Sequence, residues 1–152
     1  ELHRELVRLA DGVATRLRAH GAGARTLSLK VRFAGFHTIT RSTTLPGPID
    51  TAHGIVVALA PLLADIDPGP GVRLLGVNAT NFGTPSEQLS LDELLVEAPA
   101  AEKDWQATEV TVDAIRSRFG NTAIGPASAV SKDGLRLVRK GAQQWGPDHD
   151  PQ

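Results

Sequence analysis

The residues with the clearest chemistry in this 152-residue chain lie in one stretch, RTLSLKVRFAGFHTITRSTTL, from Arg25 to Leu45. Arg25, Lys30, Arg32 and Arg41 supply cations, and Thr26, Ser28, Thr38, Thr40, Ser42, Thr43 and Thr44 supply hydroxyls. The stretch contains no carboxylate. Such donors suit the oxygens of a polyanion, because each can give a hydrogen bond and no neighbouring acid repels the ligand. The plainer reading is a solvated sheet face, which is what most surface charge runs are.

Catalytic chemistry has no comparable set of residues. Two-metal phosphoryl transfer requires gathered carboxylates. Here Asp65 and Asp67 flank a turn, Asp92 and Glu93 lie together, and Asp148 and Asp150 fall near the end. His3, His20, His37, His53 and His149 show no metal-ligand spacing. The serines lack a nucleophile elbow, and Gly69 to Gly76 holds no phosphate-cradling loop followed by Lys. The absence of cysteine excludes disulfides and thiolate metal sites. This piece of chain is expected to be catalytically silent and to carry no cofactor.

Periodicity supplies the elements that would present the donors. Leu27, Leu29, Val31 and Phe33 alternate with Ser28, Lys30 and Arg32, the pattern of a strand with one buried and one wet face. Ala34-Gly35-Phe36 reads as a turn, and Thr38 to Leu45 as a second, Thr-rich strand that Pro46-Gly47-Pro48 breaks. Before this hairpin, Leu2, Leu6, Leu9, Val13 and Leu17 form a helical stripe with Arg4, Arg8, Arg16 and Arg18 largely off it. Gly21 and Gly23 can end that helix. After the hairpin, Asp50 or Thr51 caps a helix running to about Asp65, in which Pro61 predicts a kink or an early stop. Val72 to Thr80 reads as a third strand, with Gly76 marking a bulge or a close approach, and Asn81 to Ser86 as loop. A further helix is expected from Asp104 to Phe119, its stripe made by Trp105, Thr108, Val112, Ile115 and Phe119, with Trp105 buried and Gly120 as the stop. Leu135 to Val138 predicts a short strand, and the polar tail holding Trp145 predicts disorder. The order α-β-β-α-β places two helices on one face of an antiparallel sheet and leaves the other face to Lys30, Arg32 and the hydroxyl row.

Net charge is −1, but it is unevenly spread: +5 over residues 1–45, −7 over 46–104 and +1 over 105–152. Such asymmetry can orient a protein on a polyanion. No apolar run approaches the roughly 20 residues of a membrane span, and no signal peptide is visible. The chain begins at Glu1 rather than Met, so it reads as an excised piece of something longer.

The ordered blocks RTLSLKVRF, TRSTTL, VRLLGV and QLSL resemble the little-finger domain of Y-family DNA polymerases, nearest the bacterial DNA polymerase IV branch. VDAIRSRFG resembles that branch's C-terminal extension, so the likeness covers about residues 1–126. The resemblance implies an α+β fold, an antiparallel βαββαβ-like sheet with two helices on one face, followed by a helical extension. It implies that the open face holds double-stranded primer–template DNA through backbone phosphates, with Arg25, Thr26, Lys30, Arg32, Thr38, Thr40, Arg41, Ser42, Thr43 and Arg73 on or near the track. It further implies a parent translesion polymerase using magnesium in its palm, working in the bacterial cytoplasm on nucleoid DNA. The family's opening strand, expected at the centre of the sheet, has no counterpart after Glu1. The sheet is then destabilised, the chain is trimmed, or another segment substitutes.

Gln88-Leu89-Ser90-Leu91-Asp92 resembles the peptide by which such polymerases bind the sliding clamp, the beta subunit, except that Asp92 stands where the pattern has Phe. In that motif Gln hydrogen-bonds one subsite while Leu side chains fill an apolar pocket. The alternative is that Leu89 and Leu91 pack on this domain's own core. The resulting organisation is a DNA-binding domain over residues 1–87, a linker with the clamp-like peptide over 88–104, and a C-terminal helix and tail over 105–152. Two rivals remain: the little finger of a catalytically inactive Y-family adaptor, and a protein-interaction module with a basic sheet face.

Overall fold

A computed structural model describes residues 1–84, 100–131 and 134–135. Helix α1 (Leu2–Ala19) leads into β1 (Gly23–Phe33), β2 (Thr38–Ile49), α2 (Ala52–Ala64) and β3 (Val72–Gly83). Helix α3 (Ala100–Phe119), a 3₁₀ turn (Ala127–Ala129) and the two-residue strands β4 (Val130–Ser131) and β5 (Gly134–Leu135) follow. The main sheet is antiparallel in the order β2-β1-β3. This is the α+β arrangement expected, with three strands among the described residues. Because β1 already pairs on both sides, an additional strand has only the outer edges of β2 and β3 to join. That corrects the expectation of a central one.

The core forms where three apolar stripes meet. Leu27, Leu29 and Val31 of β1 are fully buried against Leu6, Ala10, Ala14 and Leu17 of α1 and Ile55, Leu59 and Leu63 of α2. In the β1–β3 register they stand opposite Ala79, Val77 and Leu75, so one face of the sheet is apolar across two strands. Burial of each such Leu or Ile side chain contributes about 1.5–3 kcal/mol, which makes β1 the element the domain condenses on. Helix α1 ends in a Schellman arrangement: Ala22 N donates to Leu17 O and Gly21 N to Arg18 O, each at 3.0 Å. Gly21 takes the left-handed conformation (φ +62°) that this turn requires.

Strands β2 and β3 and helix α3 differ from their expected bounds, whereas helix α2 matches its expected extent. Strand β2 runs through Pro46-Gly47-Pro48 to Ile49. An edge strand needs no donor on its outer side, so its prolines are tolerated. The cost is an irregular register: Thr26 pairs with Thr44, yet Ala24 pairs with Ile49. Strand β3 extends to Gly83, because Ala24 and Gly23 of β1 continue the pairing with Phe82 and Gly83. Its register shift falls between Arg32 and Phe33, opposite Arg73, and Gly76 pairs regularly with Lys30. Helix α2 continues past Pro61 to Ala64 without stopping there. Pro61 stands near the helix's end, and the carbonyl it leaves without a donor belongs to Val57, on the exposed face. Thr51, not Asp50, is the cap, its hydroxyl accepting from Gly54 N at 3.1 Å.

Helix α3 starts at Ala100, four residues before the expected Asp104, and is not held by the expected apolar stripe. Trp105 is 41% exposed and Phe119 68%, whereas Glu109 (8%) and Arg116 (6%) are buried. Arg18 of α1 binds Asp113 through Nε (2.6 Å) and Nη2 (3.1 Å), pairs with Glu109 and donates to the Asp50 carbonyl. Arg116 reaches Asp11 through both terminal nitrogens (3.1 and 3.2 Å) and donates to the Ile124 carbonyl. Glu109 also accepts from the backbone N–H groups of Ala52 and His53 at the start of α2. Trp105 lies flat on the His53 imidazole, ring centres 4.6 Å apart. The extension is thus docked by ion pairs and a helix-capping carboxylate.

Candidate nucleic-acid interface

Directly opposed residues in an antiparallel sheet point to the same face, so the register assigns the paired side chains of the hairpin from Thr26 to Arg32 and from Thr38 to Thr44. On the face away from the helices four rows cross the three strands. Thr44, Thr26 and Thr80 form the first; Ser42, Ser28 and Asn78 the second; Thr40, Lys30 and Gly76 the third; Thr38, Arg32 and Leu74 the fourth. The rows hold hydroxyls, an amide, an ammonium and a guanidinium, and no acid. Lys30, Thr38, Thr40, Ser42, Thr44, Asn78 and Thr80 are exposed. Thr26 and Thr44 share a hydroxyl–hydroxyl hydrogen bond of 3.3 Å. Gly76 leaves the ground beside Lys30 low: a β-carbon there would come no closer than 3.8 Å to any neighbour.

Six of the ten nominated residues lie on this face: Thr26, Lys30, Arg32, Thr38, Thr40 and Ser42. Arg41 and Thr43 do not. They stand opposite Leu29 and Leu27 and therefore share the helix-covered face, with Arg41 exposed at its rim. Arg25 sits at the β2 irregularity, where its Nη2 donates to the Pro46 carbonyl at 2.9 Å. Arg73 occupies the bulge of β3 near the hairpin turn, its guanidinium 4.9 Å from the centre of the Phe36 ring. Among the described residues Lys30 and Arg73 make no ion pair with a carboxylate. Asn78 and Thr80 were not nominated, although their alternation with Val77 and Ala79 carries the signal. Gln88 to Asp92 lie outside the described residues.

The arrangement can grip a row of phosphates. Hydroxyls and cations spaced at strand intervals offer many hydrogen bonds to anionic oxygens, and a flat donor surface selects no base. Among the described residues no three His, Cys, Asp or Glu side chains converge to hold a metal ion. No helix among the described residues is long and apolar enough to cross a membrane.

The family model of the impB/mucB/samB family C-terminal domain matches residues 1–92. The chain is 45% identical over 84 residues to a DNA polymerase IV of Streptomyces coelicolor, covering 55% of this chain and 18% of that protein. It is 46% identical over 83 residues to a DNA polymerase IV of Halorhodospira halophila, 54% of this chain and 23% of that protein. A DNA polymerase IV of Desulfatibacillum aliphaticivorans is 33% identical over 132 residues, 86% of this chain and 33% of that protein. The chain therefore spans a third or less of these relatives.

Proposed function

The chain belongs to the impB/mucB/samB family, as a C-terminal region of the Y-family polymerase type, and from that membership we propose that its open sheet face holds duplex DNA. The grip is on backbone phosphates and carries no sequence preference. The observation behind it is the set of four cross-strand rows that offer donors and no acid. In a translesion polymerase such a grip keeps primer–template in place while damaged bases pass. The relatives named DNA polymerase IV favour an active parent enzyme over an inactive adaptor. In that parent, magnesium chemistry belongs to residues other than those described here.

Salt dependence separates this reading from a protein-interaction module. Neutralising three or four phosphates predicts that affinity for random-sequence duplex falls about 40- to 150-fold between 50 and 200 mM salt. Flat or undetectable binding favours the interaction module. The same proposal extends to the sliding clamp through Gln88, Leu89, Ser90, Leu91 and Asp92, supported by the motif alone. Gln88→Ala with Leu91→Ala should lower affinity for the beta clamp at unchanged melting temperature. A sharp fall in melting temperature with clamp binding intact assigns those residues to the core instead.

A further inference from the structure

The β1–β2 hairpin turns in three residues, and the last of them is an unusual choice. Phe33 N donates to His37 O and Phe36 N to Phe33 O, each at 2.9 Å. Phe36 carries φ +64°. A three-residue hairpin commonly places Gly at that left-handed position, since a β-carbon there crowds the carbonyl oxygen that follows. Here the glycine is Gly35, one residue early.

Core packing does not explain the ring, because Phe36 is 57% exposed. Among the described residues two guanidinium groups lie over it, Arg32 at 5.1 Å and Arg73 at 4.9 Å from the ring centre. Arg32 ends the open-face row of β1, and Arg73 is the residue that the β3 bulge re-aims. Two cations attracted to one ring repel each other. A phosphate lying against both guanidinium groups offsets that repulsion. A strained backbone retained at an exposed position points to use rather than packing.

We propose that Phe36 is a positioning residue: its ring gathers Arg32 and Arg73 into a paired cation at the turn end of the open face, set to meet neighbouring phosphates of a duplex. The inference rests on the DNA-binding reading above. The test uses the full chain and random-sequence duplex DNA. Phe36→Gly relieves the left-handed conformation, so its melting temperature should hold or rise while affinity falls about 3- to 10-fold. Phe36→Trp, which keeps an aromatic face, should recover affinity to within about 2-fold of the unsubstituted chain. In an Arg32→Ala/Arg73→Ala background, Phe36→Gly should change affinity less than about 2-fold. Unchanged affinity for Phe36→Gly overturns the inference alone, as does a loss that persists in the double-arginine background. Absence of DNA binding by the unsubstituted chain overturns the DNA reading itself, and this inference with it.

Discussion

Glu109 concentrates in one side chain the forces that attach the C-terminal helix. Burial raises its carboxyl above the ordinary carboxylate value, against the opposing pull of the Ala52 N–H, the Arg18 guanidinium and the His53 N–H. A raised carboxyl favours the protonated form in the folded state. Its contribution to stability is therefore full in acid and is lost as pH rises through the shifted value. Glu109→Gln mimics the protonated form and keeps an acceptor for the α2 N-terminus. Thermal melts across that pH range should show a shallower loss for Glu109→Gln than for the unsubstituted chain. Glu109→Ala removes the acceptor and should cost about 2 kcal/mol. A Glu109→Gln profile parallel to the unsubstituted one contradicts this account of the group. No sequence signal announced Glu109, because the partners that bury it, Arg18 and the N–H groups of Ala52 and His53, lie 56 or more residues away.

The elements were legible to different degrees, for reasons that particular residues make plain. Strand β1 could be read almost outright, since Leu27, Leu29 and Val31 alternate with polar neighbours and the structure buries that same set. Strand β2 could not be assigned to faces. Thr38, Thr40 and Ser42 alternate with Ile39 and Arg41, but Arg41 and Thr43 are as polar as their neighbours, so polarity does not mark a buried phase, and only the pairing of Leu29 with Arg41 and of Lys30 with Thr40 separates the sides. Its extent was hidden by Pro46 and Pro48, which stop an interior strand but not an edge. Pro48 packs so near Gly23 that a β-carbon on Gly23 would lie 2.9 Å from it, a close approach that accounts for glycine at the start of β1. Helix α3 misled for the opposite reason. Trp105, Val112 and Phe119 recur at helical spacing, yet among the residues whose burial is described the buried positions are Glu109 and Arg116, seven residues apart on another stripe. Apolar periodicity locates the face that hides only where apolar burial does the docking.

At the scale of the whole molecule the two sides of the sheet are chemically segregated. The helices α1 and α2 cover the apolar side, and α3 is fastened to them by carboxylates and guanidinium groups. The uneven charge of the sequence follows this division only in part. The +5 of residues 1–45 includes Arg18, which is consumed by Asp113 and Glu109, and Arg41, which lies on the helix side of the sheet. What remains on the open face is a modest cationic set embedded in hydroxyls. Orientation, and not net charge, is what the account requires. Ser42 and Thr43 separate the two directly, since they are chain neighbours on opposite faces. Ser42→Glu and Thr43→Glu change net charge equally, so any general electrostatic effect is shared. The deciding measurement is the affinity of each variant for random-sequence duplex DNA at one fixed salt concentration. The account predicts a loss of at least about 10-fold for Ser42→Glu and less than about 3-fold for Thr43→Glu; equal losses, or a larger one for Thr43→Glu, contradict it.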